Sequence, residues 1–210
     1  MSASTIRLWI FALAVLAVLL GAGLLWRYAP PSSGFVTGPA GQSGTASIGG
    51  PFALTDHRGN RVTEARLAGH LTLIYFGYAT CPDVCPVELQ TIGAALDILA
   101  AGKPERLKDI QGFFITIDPE RDTVAALADY MPNFHPKLTG LTGSPGEIAA
   151  AAKAWRVYYK KVEAEPGSES YLMDHSNIIY LMGRDGKFLA HFGTGAQAGE
   201  IAGKLREFLK

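Results

Sequence analysis

Residues 71–77 read LTLIYFG, a β-favouring run with no charge and no in–out alternation. A strand of that kind is buried on both faces, which requires layers covering both sides of its sheet. A second apolar run, 111–117, follows after residues 87–101, where apolar side chains recur at helical spacing and Gly102 suits a stop. Strand, helix, strand is a βαβ crossover, so the centre of this chain belongs to the α/β class.

The flanking segments extend that unit. Residues 51–56 and 61–62 bracket a His57-Arg58-Gly59-Asn60 turn, a short opening hairpin. Residues 123–131 form a helix ending before Pro132. Another helix covers 145–157, with Ile148, Ala152 and Trp155 on one side. Strands 177–182 and 187–192 are joined by Gly183-Arg184-Asp185-Gly186, a strong hairpin signal, and an amphipathic helix closes the chain from about 199 to 209. Together these predict one α/β domain over 51–210, a thioredoxin-like sandwich of a central mixed sheet flanked by helices.

Upstream, residues 8–26 run nineteen positions without a charge between Arg7 and Arg27, with Trp9 and Trp26 at the two ends. As a helix this run spans roughly 28 Å, close to a bilayer's hydrocarbon thickness. A signal peptide has a shorter apolar region and a small-residue cleavage site, so 1–27 reads as one N-terminal transmembrane helix, a retained membrane anchor. Residues 28–50 are uncharged and rich in Gly, Pro, Ser and Thr, a flexible tether with a root-mean-square span of roughly 25 Å. With no Arg- and Ser-rich transit segment ahead of the apolar run, a bacterial inner membrane with the domain in the periplasm is the expected location.

Charge excludes some partners. Nineteen basic and nineteen acidic residues give a formal net charge of zero, so no whole-chain field draws nucleic acid. Two cysteines exclude a disulfide-rich scaffold and a four-cysteine zinc site.

Those two, Cys81 and Cys85, lie in YATCPDVCP between the first buried strand and its helix. A helix N-terminus stabilises thiolates, and four-residue spacing places both sulfurs on one helix face if both are helical. The pair suits one metal ion and with modest adjustment a redox disulfide. Two thiolates select Cu(I) or zinc, and one imidazole completes a trigonal copper site. Of His57, His70, His135, His175 and His191, only His175 precedes a strand expected beside the cysteine-bearing one. Asp83, between the cysteines, Asp118, at a strand end, and Asp174, beside His175, are candidates for tuning or orienting the site or for docking a partner. For Asp83 helix-start stabilisation is the alternative role, and for Asp118 turn chemistry before Pro119, with Asp122 or Thr123 capping the next helix.

YFGYATCPDVCP, TIDPERDT (116–123) and DHSNIIYL (174–181), in that order, make the chain resemble the Sco/SenC family over essentially all of 50–210. The resemblance implies a thioredoxin-like domain that binds one copper ion, as Cu(I) and in some states Cu(II), through Cys81, Cys85 and His175. It further implies work on the binuclear copper (CuA) centre of cytochrome c oxidase subunit II, as copper donor, as thiol reductant, or as both. Other copper chaperones or thiol reductants are then further partners. A thiol oxidoreductase carries two residues between its cysteines and a proline before the next strand. Here three residues intervene, the nearest proline upstream of Asn177 is Pro166, and Asp174-His175 stands in its place. That favours metal carriage over enzymatic disulfide turnover. A thiol–disulfide reductase and a copper or redox sensor are the rivals, and a peroxidase-like enzyme is more distant.

Overall fold

The computed structural model describes residues 48–163 and 170–209. The proposed anchor and nearly all of the tether lie outside these, and among the described residues no helix is long and apolar enough to cross a membrane. The last three tether positions, 48–50, belong to the domain: Ile48 packs against the core and the Gly49 N–H donates to Ala154 O at 3.0 Å.

Among the described residues nine strands and four α-helices follow in chain order: β1 (Ala53–Asp56), β2 (Arg61–Thr63), β3 (Leu71–Gly77), α1 (Val84–Ala100), β4 (Ile110–Thr116), α2 (Val124–Tyr130), β5 (Leu138–Thr142), α3 (Pro145–Ala154), β6 (Tyr159–Glu163), β7 (Tyr171–His175), β8 (Ile179–Met182), β9 (Phe188–Phe192) and α4 (Ala198–Glu207). Seven strands make one sheet in the order β2-β1-β5-β4-β3-β8-β9, while β6 and β7 form a separate two-stranded arm. β3, β4 and β5 are parallel neighbours, and β8 runs antiparallel to β3, so the sheet is mixed.

The two apolar runs are the central strands β3 and β4, and every residue of both is buried. Alternation along β3 sends Tyr75 toward Cys85 on one face and Phe76 toward Trp155 on the other. Helix α1 covers the first face and packs against α4. Trp155, fully buried at the end of α3, meets Phe52 edge-on at 5.6 Å between ring centroids. Capping residues mark two helix starts: Thr123 accepts from the Ala126 N–H, and Ser144 and Glu147 form a reciprocal capping box.

Three strands lie where the sequence pattern showed none. β5 is a short LTGLT segment without alternation, and β6 and β7 are largely exposed strands whose charges conceal them. Lys160 and Lys161 are paired residues of β6. Helix α1 begins at Val84 rather than 87, because Pro86 falls in the first turn, where a missing N–H costs nothing.

Candidate metal centre

The early start of α1 separates the two cysteines. Cys85 is inside its first turn, whereas Cys81 precedes the cap residue Asp83 and sits in a turn closed by its own N–H to Tyr78 O at 3.2 Å. The pair therefore does not share a helix face as i and i+4. Both are free thiols, 9% and 0% exposed. Cys85 Sγ occupies a pocket between Tyr75, whose hydroxyl donates to it at 3.5 Å, and Gly77, where a Cβ would lie 2.9 Å from the sulfur.

His175 arrives from the separate arm. It is the last residue of β7 rather than part of a loop, and its Nε2 lies 3.7 Å from Cys85 Sγ. Its Nδ1 lies 3.1 Å from Ser176 O. A carbonyl only accepts, so Nδ1 carries the proton and Nε2 presents its lone pair to the sulfur, the tautomer a metal ligand needs. Tyr75 and Tyr78 face the imidazole edge-on at 6.3 and 6.0 Å.

Burial sets the protonation. It holds His175 below its usual 6.5, so the ring is neutral at physiological pH. Burial and the neighbouring sulfur push the Cys85 thiol up to about 12. Burial also acts upward on Cys81, but donation from the N–H groups of Asp83 and Cys85, the Cys85 thiol and the Tyr78 hydroxyl outweighs it, and its pKa falls below the ordinary value. Cys81 is the first of the pair to ionise.

These distances suit an ion. With metal–sulfur bonds of about 2.3 Å and metal–nitrogen bonds of about 2.0 Å, a trigonal site has a sulfur–nitrogen edge of about 3.7 Å. Cys85 and His175 already stand at that separation. Among the described residues no three His, Cys, Asp or Glu side chains are grouped tightly enough to hold an ion as they stand.

The carboxylates take roles the sequence left open. Asp118 is 3% exposed, accepts from Arg121 and Tyr171, and is too buried to dock a partner. Asp83 holds the cap position of α1 with no side-chain bond to the helix. Asp174 is exposed opposite Lys160, and Ser176 O, not its carboxylate, meets His175 Nδ1. Asp122, read only as a helix-capping candidate, is nearly fully buried and accepts from the Ala79 N–H at 2.8 Å and the Thr116 hydroxyl at 2.6 Å, tying down the cysteine loop. Thr123 does the capping. Pattern could not reveal Asp122, because its partner lies 43 positions away.

A mixed sheet flanked by helices, with two thiols at a strand–helix junction and one of them facing an imidazole, defines a thioredoxin-like protein with a candidate metal pocket. The SCO1/SenC family matches residues 40–210, and the chain belongs to that family. It is 48% identical over 151 residues to the mitochondrial SCO1 homolog 1 of Arabidopsis thaliana, covering 72% of this chain and 44% of the relative. It is 44% identical over 167 residues to the human mitochondrial SCO1 homolog, covering 80% and 54%. The chain thus spans about half the length of these curated relatives. Among solved structures, Bradyrhizobium japonicum ScoI with copper bound superposes with a TM-score of 0.68 at 43% identity, over 77% of this chain and 99% of that one. Arabidopsis thaliana ScoI with copper bound gives 0.70 at 44%, over 76% and 97%.

Proposed function

We propose that this chain is a membrane-tethered copper chaperone that binds one copper ion through Cys81, Cys85 and His175 and delivers it to the CuA centre of cytochrome c oxidase subunit II. The observation that carries the reading is the 3.7 Å approach of His175 Nε2 to Cys85 Sγ across 90 residues of chain. Relatives at 43% and 44% identity have been solved with copper bound, which supports copper as the ion. Residues 1–27 supply the anchor and the following segment the tether, with the domain on the periplasmic side of a bacterial inner membrane.

In this reading the Cys81 thiolate makes the first bond to copper. Neutral His175 offers its lone pair without losing a proton, and Cys85 gives up its proton as the ion enters, since metal and proton compete for the same sulfur. Three protein ligands leave one edge open. A thiolate of the recipient can enter there and displace the carrier's ligands one by one, without free copper at any step.

The test is an anaerobic Cu(I) competition titration of the reduced protein beside His175→Ala, followed by mixing with an apo subunit II fragment. One equivalent held tightly, weakened by the substitution and passed to the fragment, is the expected result. Copper held but never passed on marks a sensor.

The unequal cysteines favour one second reading, a thiol–disulfide reductase for the recipient. The Cys81 thiolate would attack a disulfide sulfur of the partner, forming a mixed disulfide and expelling one partner thiolate. Cys85, deprotonated, would then attack Cys81 Sγ, closing its own disulfide and releasing the second. That activity survives His175→Ala and is lost with either cysteine.

A further inference from the structure

The histidine rides on the β6–β7 arm, and that arm shares no ladder with the main sheet. Apolar packing seats it in part, since Met173 is buried in the core and Tyr159 and Tyr171 pack against it, while an open cleft of about 250 Å³ lined by Ile117, Asp118, Tyr159, Lys161 and Met173 runs beside the arm. Polar contacts from loop 118–122 add to this hold, beside the interaction of the Tyr78 hydroxyl with the Met173 backbone N–H. Arg121 Nη1 donates to Tyr171 O at 3.0 Å, and its guanidinium lies 3.8 Å above the Tyr171 ring. The Tyr171 hydroxyl donates to Asp118 Oδ1 at 3.0 Å, and Asp118 is itself paired with Arg121. Lys161 and Glu120 add an ion pair at 3.2 Å, but both are exposed, and such pairs hold little.

Arg121 also reaches toward the site. Its guanidinium lies 5.6 Å from the Tyr78 ring, which in turn faces His175. Its neighbour Asp122 holds the cysteine loop through Ala79. One five-residue loop therefore grips both halves of the ligand set, the cysteine side through Asp122 and the histidine side through Arg121.

We infer that Arg121 is a positioning residue for the third ligand: by clamping Tyr171 it fixes β7 so that His175 Nε2 stays within coordinating distance of Cys85 Sγ. A lysine cannot replace it, since the role needs a planar group that stacks on one ring while donating sideways to a carbonyl. The inference rests on the copper reading for its ligand and on the free protein for its geometry, and the two can be tested apart.

The experiment uses the full-length chain, reduced and anaerobic, as wild type, Arg121→Gln, Arg121→Lys, His175→Ala and the Arg121→Gln/His175→Ala double variant. Cu(I) competition should show Arg121→Gln weakening binding by about 10–100-fold, the range seen when outer partners of a metal ligand are removed. Arg121→Lys should fall with it. In the His175→Ala background the same change should cost no more than about twofold, because a residue acting only through the histidine has nothing left to position. Equal losses in both backgrounds, or full affinity in Arg121→Gln, would overturn the inference. The second readout needs no copper. Amide hydrogen exchange across 171–176 should accelerate in Arg121→Gln while β3 and β4 keep their protection, and unchanged exchange in the arm would also overturn it. If wild type binds no copper, the chaperone reading falls, and the exchange result still decides whether Arg121 holds the arm.

Discussion

Cys85 Sγ fills the space that a side chain at position 77 would need, so Gly77 and Cys85 form one packing unit at the end of β3. A Cβ at Gly77 would lie 2.9 Å from the sulfur and 3.0 Å from both Phe114 Cε2 and Tyr75 Cε1. None of the three can retreat easily, since Tyr75, Phe114 and Cys85 are all fully buried. Gly77→Ala should cost about 1–3 kcal/mol by overpacking. It should also displace the sulfur and weaken copper binding, whereas an alanine at half-buried Gly203, with nothing within 4 Å of its Cβ, should do neither. Urea denaturation and Cu(I) competition on both variants check this.

The two thiols should respond to pH separately. Cys81 ionises below its ordinary value of 9.0, so its alkylation rate should rise with pH at a midpoint lower than that of an ordinary thiol. Cys85, held up to about 12, should still be gaining reactivity there. Timed iodoacetamide labelling with peptide mass spectrometry should find Cys81 modified first throughout pH 6–9. Labelling of Cys85 first would reverse the assignment of roles in capture and exchange.

Removing the Asp122 side chain strands two buried donors, the Ala79 N–H and the Thr116 hydroxyl. Asp122→Ala should cost about 1–3 kcal/mol. Burial raises the pKa of this carboxyl by disfavouring its charged form, and Asp122→Asn, which keeps an accepting oxygen for both donors, should lose much less. Chemical denaturation of the pair separates the two outcomes.

Substitution of Asp83 or Asp174 should leave stability within about 0.5 kcal/mol, the usual range for exposed positions. Asp83 makes no side-chain cap bond, and Asp174 does not hold the imidazole. A copper titration in which Asp174→Asn matched His175→Ala would show that the carboxylate takes part after all.

Residues whose neighbours are close in sequence, or whose burial is complete, were legible before any coordinates. β3 and β4 stood out because a sheet covered on both faces needs uninterrupted apolar strands, and the β8–β9 hairpin because Gly186 adopts a left-handed φ of 73°. Cys81, Cys85 and His175 could be named from motif order. The arm could not: β6 is YKKVE, a strand whose alternation is masked by lysines lying on an exposed surface. Nor could the grip of loop 118–122, because Arg121 meets Tyr171 50 positions later and Asp122 meets Ala79 43 positions earlier. Single-sequence patterns carry information about faces and turns, and contacts of that range leave no periodic trace.

Cys85 and His175 are separated by 90 residues and belong to pieces of scaffold that no strand ladder joins. An ion bound to both acts as a staple across that length of chain, and a clip closing so long a loop restricts the unfolded ensemble by on the order of 4 kcal/mol on the chain-entropy account. The laden protein should therefore melt at a higher temperature than the empty one by more than local bonding at the pocket would give. If the chain carries copper as proposed, thermal resistance becomes a gauge of cargo, and unloading leaves the protein the softer of its two forms.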